Sequence, residues 1–370
     1  MREVLIVAGE VSGDLHAAAF ATALRARRPD VSLAGIGSVR MEAAGVTLLE
    51  RSEHLQAMGL VEVIGSVPHH WQLLRTLRAR LRSGNVALLV VLDYPGFNLK
   101  LAAAAHDAGV PVLYFITPQV WAWGAGRIAE IKRVVTKAAV ILPFEEPLLR
   151  NAGIDATFVG HPLLDRAADL PDRAEARHRL GLAADARVLA LFPGSRGQEI
   201  ARHLDIFVAA GRRLEARIPG LQIIVSVAPG MTIDRVRCPW PQVAQRPYDV
   251  LRAADAALCK SGTTTLEAAL AECPLLIAYR TNPITAFLAR RLMKVPHVGL
   301  VNVVAGREIV KEYLQEFMTA EALADGMAPL LDPGSAERAR MLADLRAVRA
   351  SLGEPGAAER VAAMADGRLG

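Results

Sequence analysis

Short apolar runs alternate with longer amphipathic segments from one end of the chain to the other. The runs at 4–8, 86–92, 110–115 and 138–142 are rich in Val, Leu, Ile and Ala and predict buried strands. Between them, residues 13–27, 97–108 and 126–135 read as helices. The alternation resumes after residue 185, with strands predicted at 187–192, 221–227, 256–258 and 275–279 and helices at 199–217, 264–271 and 283–292. Such a pattern predicts parallel sheets with right-handed crossovers. It breaks near 163–186, where Pro162, Pro171 and a charged stretch at 169–179 interrupt it. The fold class expected is α/β, with two Rossmann-like doubly wound domains facing across a cleft. They span residues 1–165 and 166–344, and a C-terminal helix at about 345–370 packs back on the first. Ligands of such sheets lie at the carboxyl ends of strands, so the strand-to-helix loops are where chemistry is sought.

Composition narrows the partners. The chain has 370 residues, suited to two domains, with 52% hydrophobic, 22% charged and only 5% aromatic residues, so Ala, Leu and Val carry the core. A formal net charge of +5 favours an anionic partner such as a nucleotide, a phosphate or an acidic membrane surface. No nucleic-acid-binding module accompanies it, and no nucleic acid is expected as a partner. Three cysteines, Cys238, Cys259 and Cys273, form no close pair and read as buried small hydrophobes in a reducing compartment rather than a disulfide framework or a zinc site. The first apolar run ends at Gly9-Glu10, too short for a signal-peptide core, and no uncharged run approaches the roughly 20 residues of a membrane-spanning helix. The expectation is a soluble or peripheral, cytoplasmic protein.

Two loops of the second half carry phosphate chemistry. Pro193-Gly194-Ser195-Arg196-Gly197 follows a predicted strand and opens a long helix. Helix-start N–H groups, a hydroxyl and an arginine there suit a diphosphate, and Arg196 can neutralise it as it leaves. An ordinary turn with Ser195 as N-cap reads the same residues equally well. Lys260-Ser261-Gly262-Thr263-Thr264-Thr265-Leu266-Glu267 does the same after the strand at 256–258, with Glu267 placed for the two hydroxyls of a ribose. Thr264 as N-cap with Glu267 bonding back is the structural alternative. In the first half, Asp93-Tyr94-Pro95-Gly96-Phe97-Asn98 ends a strand, and Asp93 is the natural general base for an acceptor hydroxyl, with Glu10 a second carboxylate. Dinucleotide, P-loop, H-E-x-x-H and G-x-S-x-G signatures are absent.

Taken together, several segments resemble the lipid-A-disaccharide synthase family. They are Ala8-Gly9-Glu10-Val11-Ser12-Gly13-Asp14, Met58-Gly59-Leu60-Val61-Glu62-Val63, Asp93 to Asn98, Pro118-Gln119-Val120-Trp121-Ala122-Trp123, Leu142-Pro143-Phe144-Glu145, Gly160-His161-Pro162, Pro193 to Gly197, Ser261-Gly262-Thr263, and Asn302 with Ala305-Gly306-Arg307-Glu308. The resemblance implies a glycosyltransferase B fold with the active site between the domains. It implies inverting transfer of 2,3-diacylglucosamine from its UDP conjugate to the 6-hydroxyl of 2,3-diacylglucosamine 1-phosphate, with neither cofactor nor metal. On the same resemblance Asp93 is the base, Arg196, Glu267 and Asn302 contact UDP, and Glu10 is an acid near the active site. One departure stands out: the family's usual Asp-x-Pro-Asp-Phe-Asn here has Gly96 as its fourth residue. The runner-up is another UDP-hexosamine transferase or a UDP-N-acetylglucosamine 2-epimerase of this fold, and Trp121-Ala122-Trp123 and the 8–14 stretch speak against both. A catalytically silent nucleotide-binding or membrane-associated protein is the reading from another class.

Membrane contact is expected from residues 68–85, read as a helix. Trp71, Arg75, Arg78 and Arg82 fall on one face, and Leu73, Leu74, Leu77 and Leu81 on another. The Trp/Arg face suits anionic headgroups or the acceptor phosphate. Trp121 and Trp123 are candidates for the same surface, and Met58 for an acyl-chain wall. The location expected is the cytoplasmic surface of the inner membrane. The sequence leaves the oligomeric state open.

Overall fold

The computed structural model describes residues 2–9, 11–55, 60–122, 126–167, 169–283, 285–286, 291 and 295–369, with side chains throughout except at 11–12 and 60–68. The chain divides into two compact units, Met1–Pro162 with Gly353–Gly370, and Leu163–Leu352.

The first unit is built on a seven-stranded parallel sheet in the order β3-β2-β1-β4-β5-β6-β7. Its strands are β1 Glu3–Ala8, β2 Ser32–Gly37, β3 Thr47–Arg51, β4 Val86–Leu92, β5 Val112–Phe115, β6 Lys137–Val140 and β7 Ala156–Phe158. Burial on both faces explains the unbroken apolar runs of β1 and β4. One face packs on the helices Leu60–Arg82, Pro95–Asp107 and Arg127–Val134 through Leu73, Leu77, Leu81, Leu101 and Ile131. The other packs on Val11–Arg27 and the C-terminal helix Ala357–Leu369, whose Val361, Ala362, Ala365 and Leu369 join Phe20, Ala21 and Leu24 in one core.

The second unit has a six-stranded parallel sheet in the order β10-β9-β8-β11-β12-β13. These are β8 Val188–Phe192, β9 Gln222–Val227, β10 Gln242–Ala244, β11 Ala256–Lys260, β12 Leu275–Tyr279 and β13 Glu312–Leu314. Both units are Rossmann-like α/β folds, as the alternation predicts.

Strand limits move for local reasons. The run at 110–115 begins its ladder only at Val112, because Pro111 has no N–H to give; its carbonyl accepts from Leu89 N instead (3.0 Å). The helix predicted at 68–85 starts earlier and spans Leu60–Arg82. The chain re-enters the first unit at Gly353 rather than at residue 345, since Leu345 and Val348 are buried on helix Ala336–Ser351 of the second unit. At that return Gly353 lies against Gly160, whose φ is +77° and whose missing Cβ would sit 2.7 Å from the Glu354 carbonyl. Arg360 Nε, in the terminal helix, donates to Val159 O (2.8 Å) and fastens it there.

Candidate active site

At the carboxyl end of β4 the backbone turns through two consecutive left-handed residues, Asp93 (φ +46°) and Tyr94 (φ +43°), before Pro95 opens the next helix. Next to it, Ile116 after β5 has φ +60°, a conformation foreign to a β-branched residue. Each such residue costs on the order of 1–2 kcal/mol and persists only where its surroundings impose it. Here they do. The Asn98 amide is fully buried and donates to Leu92 O (2.9 Å) and Asp93 O (2.8 Å). Tyr114 OH donates to Asp93 O (2.8 Å), and Asp93 N to Ile116 O (3.3 Å). The Tyr94 ring closely covers Gly9 after β1, and its hydroxyl bonds His70 Nε2 (2.8 Å). Asp93 is therefore a half-buried carboxylate on a backbone pinned from several sides. A Cβ at position 96 would meet nothing within 4 Å, so the backbone leaves room for a side chain there. Glu10, Met58 and Trp123 lie outside the described residues.

Trp121 departs from the expected membrane-facing indole. It is buried, packs edge-on against Phe144 (5.3 Å, 85°) and donates from Nε1 to Glu145 Oε1 (3.0 Å). The other oxygen of Glu145 accepts from Leu142 N (3.1 Å). Burial raises the Glu145 carboxyl to about 7 against the pull of those donors. His161 is pushed down to about 3 by burial and by His16, so it is neutral at working pH.

In the second unit the two predicted loops leave neighbouring strands, with Phe192 of β8 in register with Cys259 of β11. Gly194 (φ +143°) lets the first loop close over the helix Gly197–Arg217: a Cβ there would sit 2.6 Å from Glu199 Cβ. Ser195 and Arg196 are exposed, with the Arg196 side chain 77% accessible. Glu199 reaches back to accept from Ser195 N (3.0 Å) and pairs with Lys260 Nζ (2.9 Å), so one carboxylate ties the two loops. Burial pushes that carboxyl up, but Lys260 and the Ser195 amide outweigh it, and the net shift is downward.

The second loop keeps part of the capping arrangement read in the sequence, the side-chain bond between Thr264 and Glu267, but shifts the cap itself. The N-cap of helix Thr264–Leu270 is Thr263, with no side-chain cap bond. Ser261 is buried and its hydroxyl donates to Val298 O (3.0 Å), whereas Gly262 (φ +156°), Thr263 and Thr264 are at least partly exposed. Glu267 is nearly buried and sits 3.7 Å from Arg166 Nη1, and burial raises its carboxyl. Arg166 in turn lies over the Tyr248 ring, 5.1 Å from its centre. Beside them opens a cavity of about 500 Å3 lined by Arg166, Arg179, Gln245, Arg246 and Tyr248. The Tyr248 hydroxyl is buried there without a partner among the described residues.

Asn302 does not reach this surface. It is fully buried: Nδ2 donates to Val310 O (2.7 Å) and Glu312 Oε1 (2.8 Å), and Oδ1 accepts from Ile309 N (2.9 Å) and Val310 N (3.0 Å). With these four bonds made inside, it braces the 309–312 segment. Glu199, Lys260, Arg166 and Tyr248, which the sequence left without a role of their own, contact the two loops or each other here. Only Lys260, beside Ser261-Gly262, carried a local signal.

On helix Leu60–Arg82 the two faces separate as read: Leu73, Leu74, Leu77 and Leu81 are buried, while Trp71 is 65% accessible and Arg75, Arg78 and Arg82 are exposed. Among the described residues no helix is long and apolar enough to cross a membrane.

A sequence profile described as lipid-A-disaccharide synthetase matches residues 4–361. The chain belongs to the lipid-A-disaccharide synthetase family. It is 45% identical over 362 residues to the lipid-A-disaccharide synthase of Myxococcus xanthus (strain DK1622), covering 95% of this chain and 93% of that one. It is 41% identical over 338 residues to that of Trichlorobacter lovleyi, covering 89% and 88%. Among solved structures the fold is similar to a putative UDP-N-acetylglucosamine 2-epimerase from Listeria monocytogenes (TM-score 0.66, 12% identity, 97% and 94% covered). It is also similar to CalG4, the calicheamicin glycosyltransferase (TM-score 0.62, 17% identity, 100% and 98% covered). At those identities the solved structures speak for the fold alone. Membership of the lipid-A-disaccharide synthetase family gives the reaction class: glycosyl transfer from a UDP-sugar to a lipid acceptor.

Proposed function

We propose that the chain transfers 2,3-diacylglucosamine from UDP-2,3-diacylglucosamine to the 6-hydroxyl of 2,3-diacylglucosamine 1-phosphate, giving UDP and a β-1,6 disaccharide 1-phosphate. The observation that carries the mechanism is the pinned Asp93 turn, a carboxylate carried on a fixed backbone at a strand's carboxyl end. Asp93 takes the proton of the acceptor hydroxyl while its oxygen attacks the anomeric carbon. The bond to the diphosphate breaks on the opposite face, which inverts the centre. Glu10, which follows β1 in the sequence, is the second acid of this reading.

Negative charge develops on the departing UDP, and the donors of the second unit meet it. Ser195, Arg196 and the helix start at Gly197 take the diphosphate, with Gly194 and the 261–264 segment allowing close approach. Glu267 takes the ribose hydroxyls, and the cavity beside it suits a flat base. The exposed Trp71, Arg75, Arg78 and Arg82 face meets anionic headgroups, so the protein works peripherally on the cytoplasmic surface of the inner membrane. Asp93→Asn is expected to lower kcat by about 10²–10⁴-fold with the Kd for UDP unchanged. Near-normal turnover by that variant would contradict the assignment.

A further inference from the structure

Glu199 lies on the helix that starts at Gly197 and turns its carboxylate back toward the loop before it. Oε2 accepts from Ser195 N (3.0 Å) and lies 3.5 Å from Ser195 Oγ; Oε1 is 2.9 Å from Lys260 Nζ and 3.9 Å from Arg196 Nη1. A helix-start amide, a hydroxyl, an ammonium and a guanidinium together are a phosphate-binding set. All four converge on a carboxylate that belongs to the protein. The side chains of Glu199 and Lys260 are 12% and 17% accessible, so salt screens their attraction less than that of a surface pair. Lys260 Nζ also lies 5.8 Å from the centre of the Tyr279 ring, and the missing side chain of Gly262 leaves space 3.4 Å from it. The ammonium is thus held at the mouth of both loops, next to the donors already assigned to the diphosphate.

We infer that Lys260 contacts the diphosphate directly and that Glu199 is an exchangeable internal anion. The Lys260 ammonium and the Ser195 amide pass from the Glu199 carboxylate to a phosphate oxygen when nucleotide binds, and return when UDP leaves. This deepens the reading of the two loops as the diphosphate site and rests on it. The consequence is kinetic. Two cations and a helix start by themselves would retain UDP, and a carboxylate competing for the same donors lowers that affinity and speeds release.

The test is calorimetric titration of the full-length protein with UDP and with uridine, for the parent, Lys260→Gln and Glu199→Gln. Far-ultraviolet circular dichroism checks that each is folded, and the UDP inhibition constant is measured in turnover. Lys260→Gln is expected to weaken UDP by roughly 10- to 100-fold, the effect of losing one charge-assisted bond, and to leave uridine unchanged. Glu199→Gln is expected to tighten UDP several-fold, leave uridine unchanged and strengthen UDP inhibition. If Glu199→Gln weakens UDP as Lys260→Gln does, Glu199 only positions the lysine and the exchange is wrong. If Lys260→Gln weakens UDP and uridine equally, the lysine does not read phosphate. A parent protein that binds no UDP overturns the donor-site reading and this inference together, whereas normal parent binding with either adverse variant result overturns this inference alone.

Discussion

Asp93 and Glu145 show how differently two carboxylates are specified. Asp93 was legible because it ends an apolar run and precedes Pro95, a strand-to-helix turn that local sequence dictates. Its backbone partners were not, since Asn98 and Tyr114 reach it only once helix and sheet are assembled. Glu145 gave no signal as an unusual acid: its burial against Trp121, 24 residues earlier, arises only in the folded unit. Asn302 is comparable: its bonds to Val310 and Ile309, which brace the 309–312 segment, carry no local signal in the sequence. Burial of Glu145 has a pH consequence. Its folded value of about 7 lies above the ordinary 4.5, so between those limits the folded chain keeps a proton that the unfolded chain has lost. Stability contributed by this group is therefore greatest below the window and falls as pH rises through it, by roughly 3 kcal/mol in all. The emission of Trp121, whose indole binds the carboxyl, is expected to titrate with a midpoint near that value of about 7, and Glu145→Gln to abolish the transition. A flat profile in the parent protein would argue against a protonated Glu145.

Apolar central strands were readable; edge strands and the glycine-rich β2 were not. β1, β4, β8 and β12 are buried on both faces and announce themselves as apolar runs. β3, β10 and β13 are half-exposed edge strands of at most five residues, and β2 reads Ser-Leu-Ala-Gly-Ile-Gly, too rich in glycine to signal a strand. Helix Leu60–Arg82 is amphipathic in the ordinary sense over its described side chains, and the core explains its leucine face. It does not explain an exposed tryptophan beside three exposed arginines. Each cation near an anionic surface contributes about 1 kcal/mol, so Arg75, Arg78 and Arg82 changed together to Gln are expected to weaken binding to phosphatidylglycerol-containing vesicles by about 100-fold. Co-sedimentation measures it, and unaltered binding would remove this face from the membrane account. Since Leu73, Leu77 and Leu81 remain in the core, the fold is expected to survive the change.

Across the molecule, the chain leaves the first unit at Pro162, builds the second, and returns at Gly353 to finish the first with a helix. The break of the alternation at 163–186 marks two halves, and a terminal helix packing back on the first was expected from about residue 345; the return itself comes at Gly353, which meets Gly160 across 192 intervening positions. Gly160→Ala, forced to keep φ +77° against the Glu354 carbonyl, is expected to loosen the terminal helix, and limited proteolysis should cut after residue 353 sooner than in the parent. Unchanged cleavage would show that the helix is held by its core face alone. The account of the whole protein meets its most direct test in one assay. The purified chain is incubated with UDP-2,3-diacylglucosamine, with and without 2,3-diacylglucosamine 1-phosphate, and UDP and the lipid products are quantified. The account predicts UDP released mole for mole with a β-1,6 disaccharide 1-phosphate, only when the acceptor is present. Turnover of the UDP-sugar without acceptor, or nucleotide binding with no disaccharide formed, would contradict it.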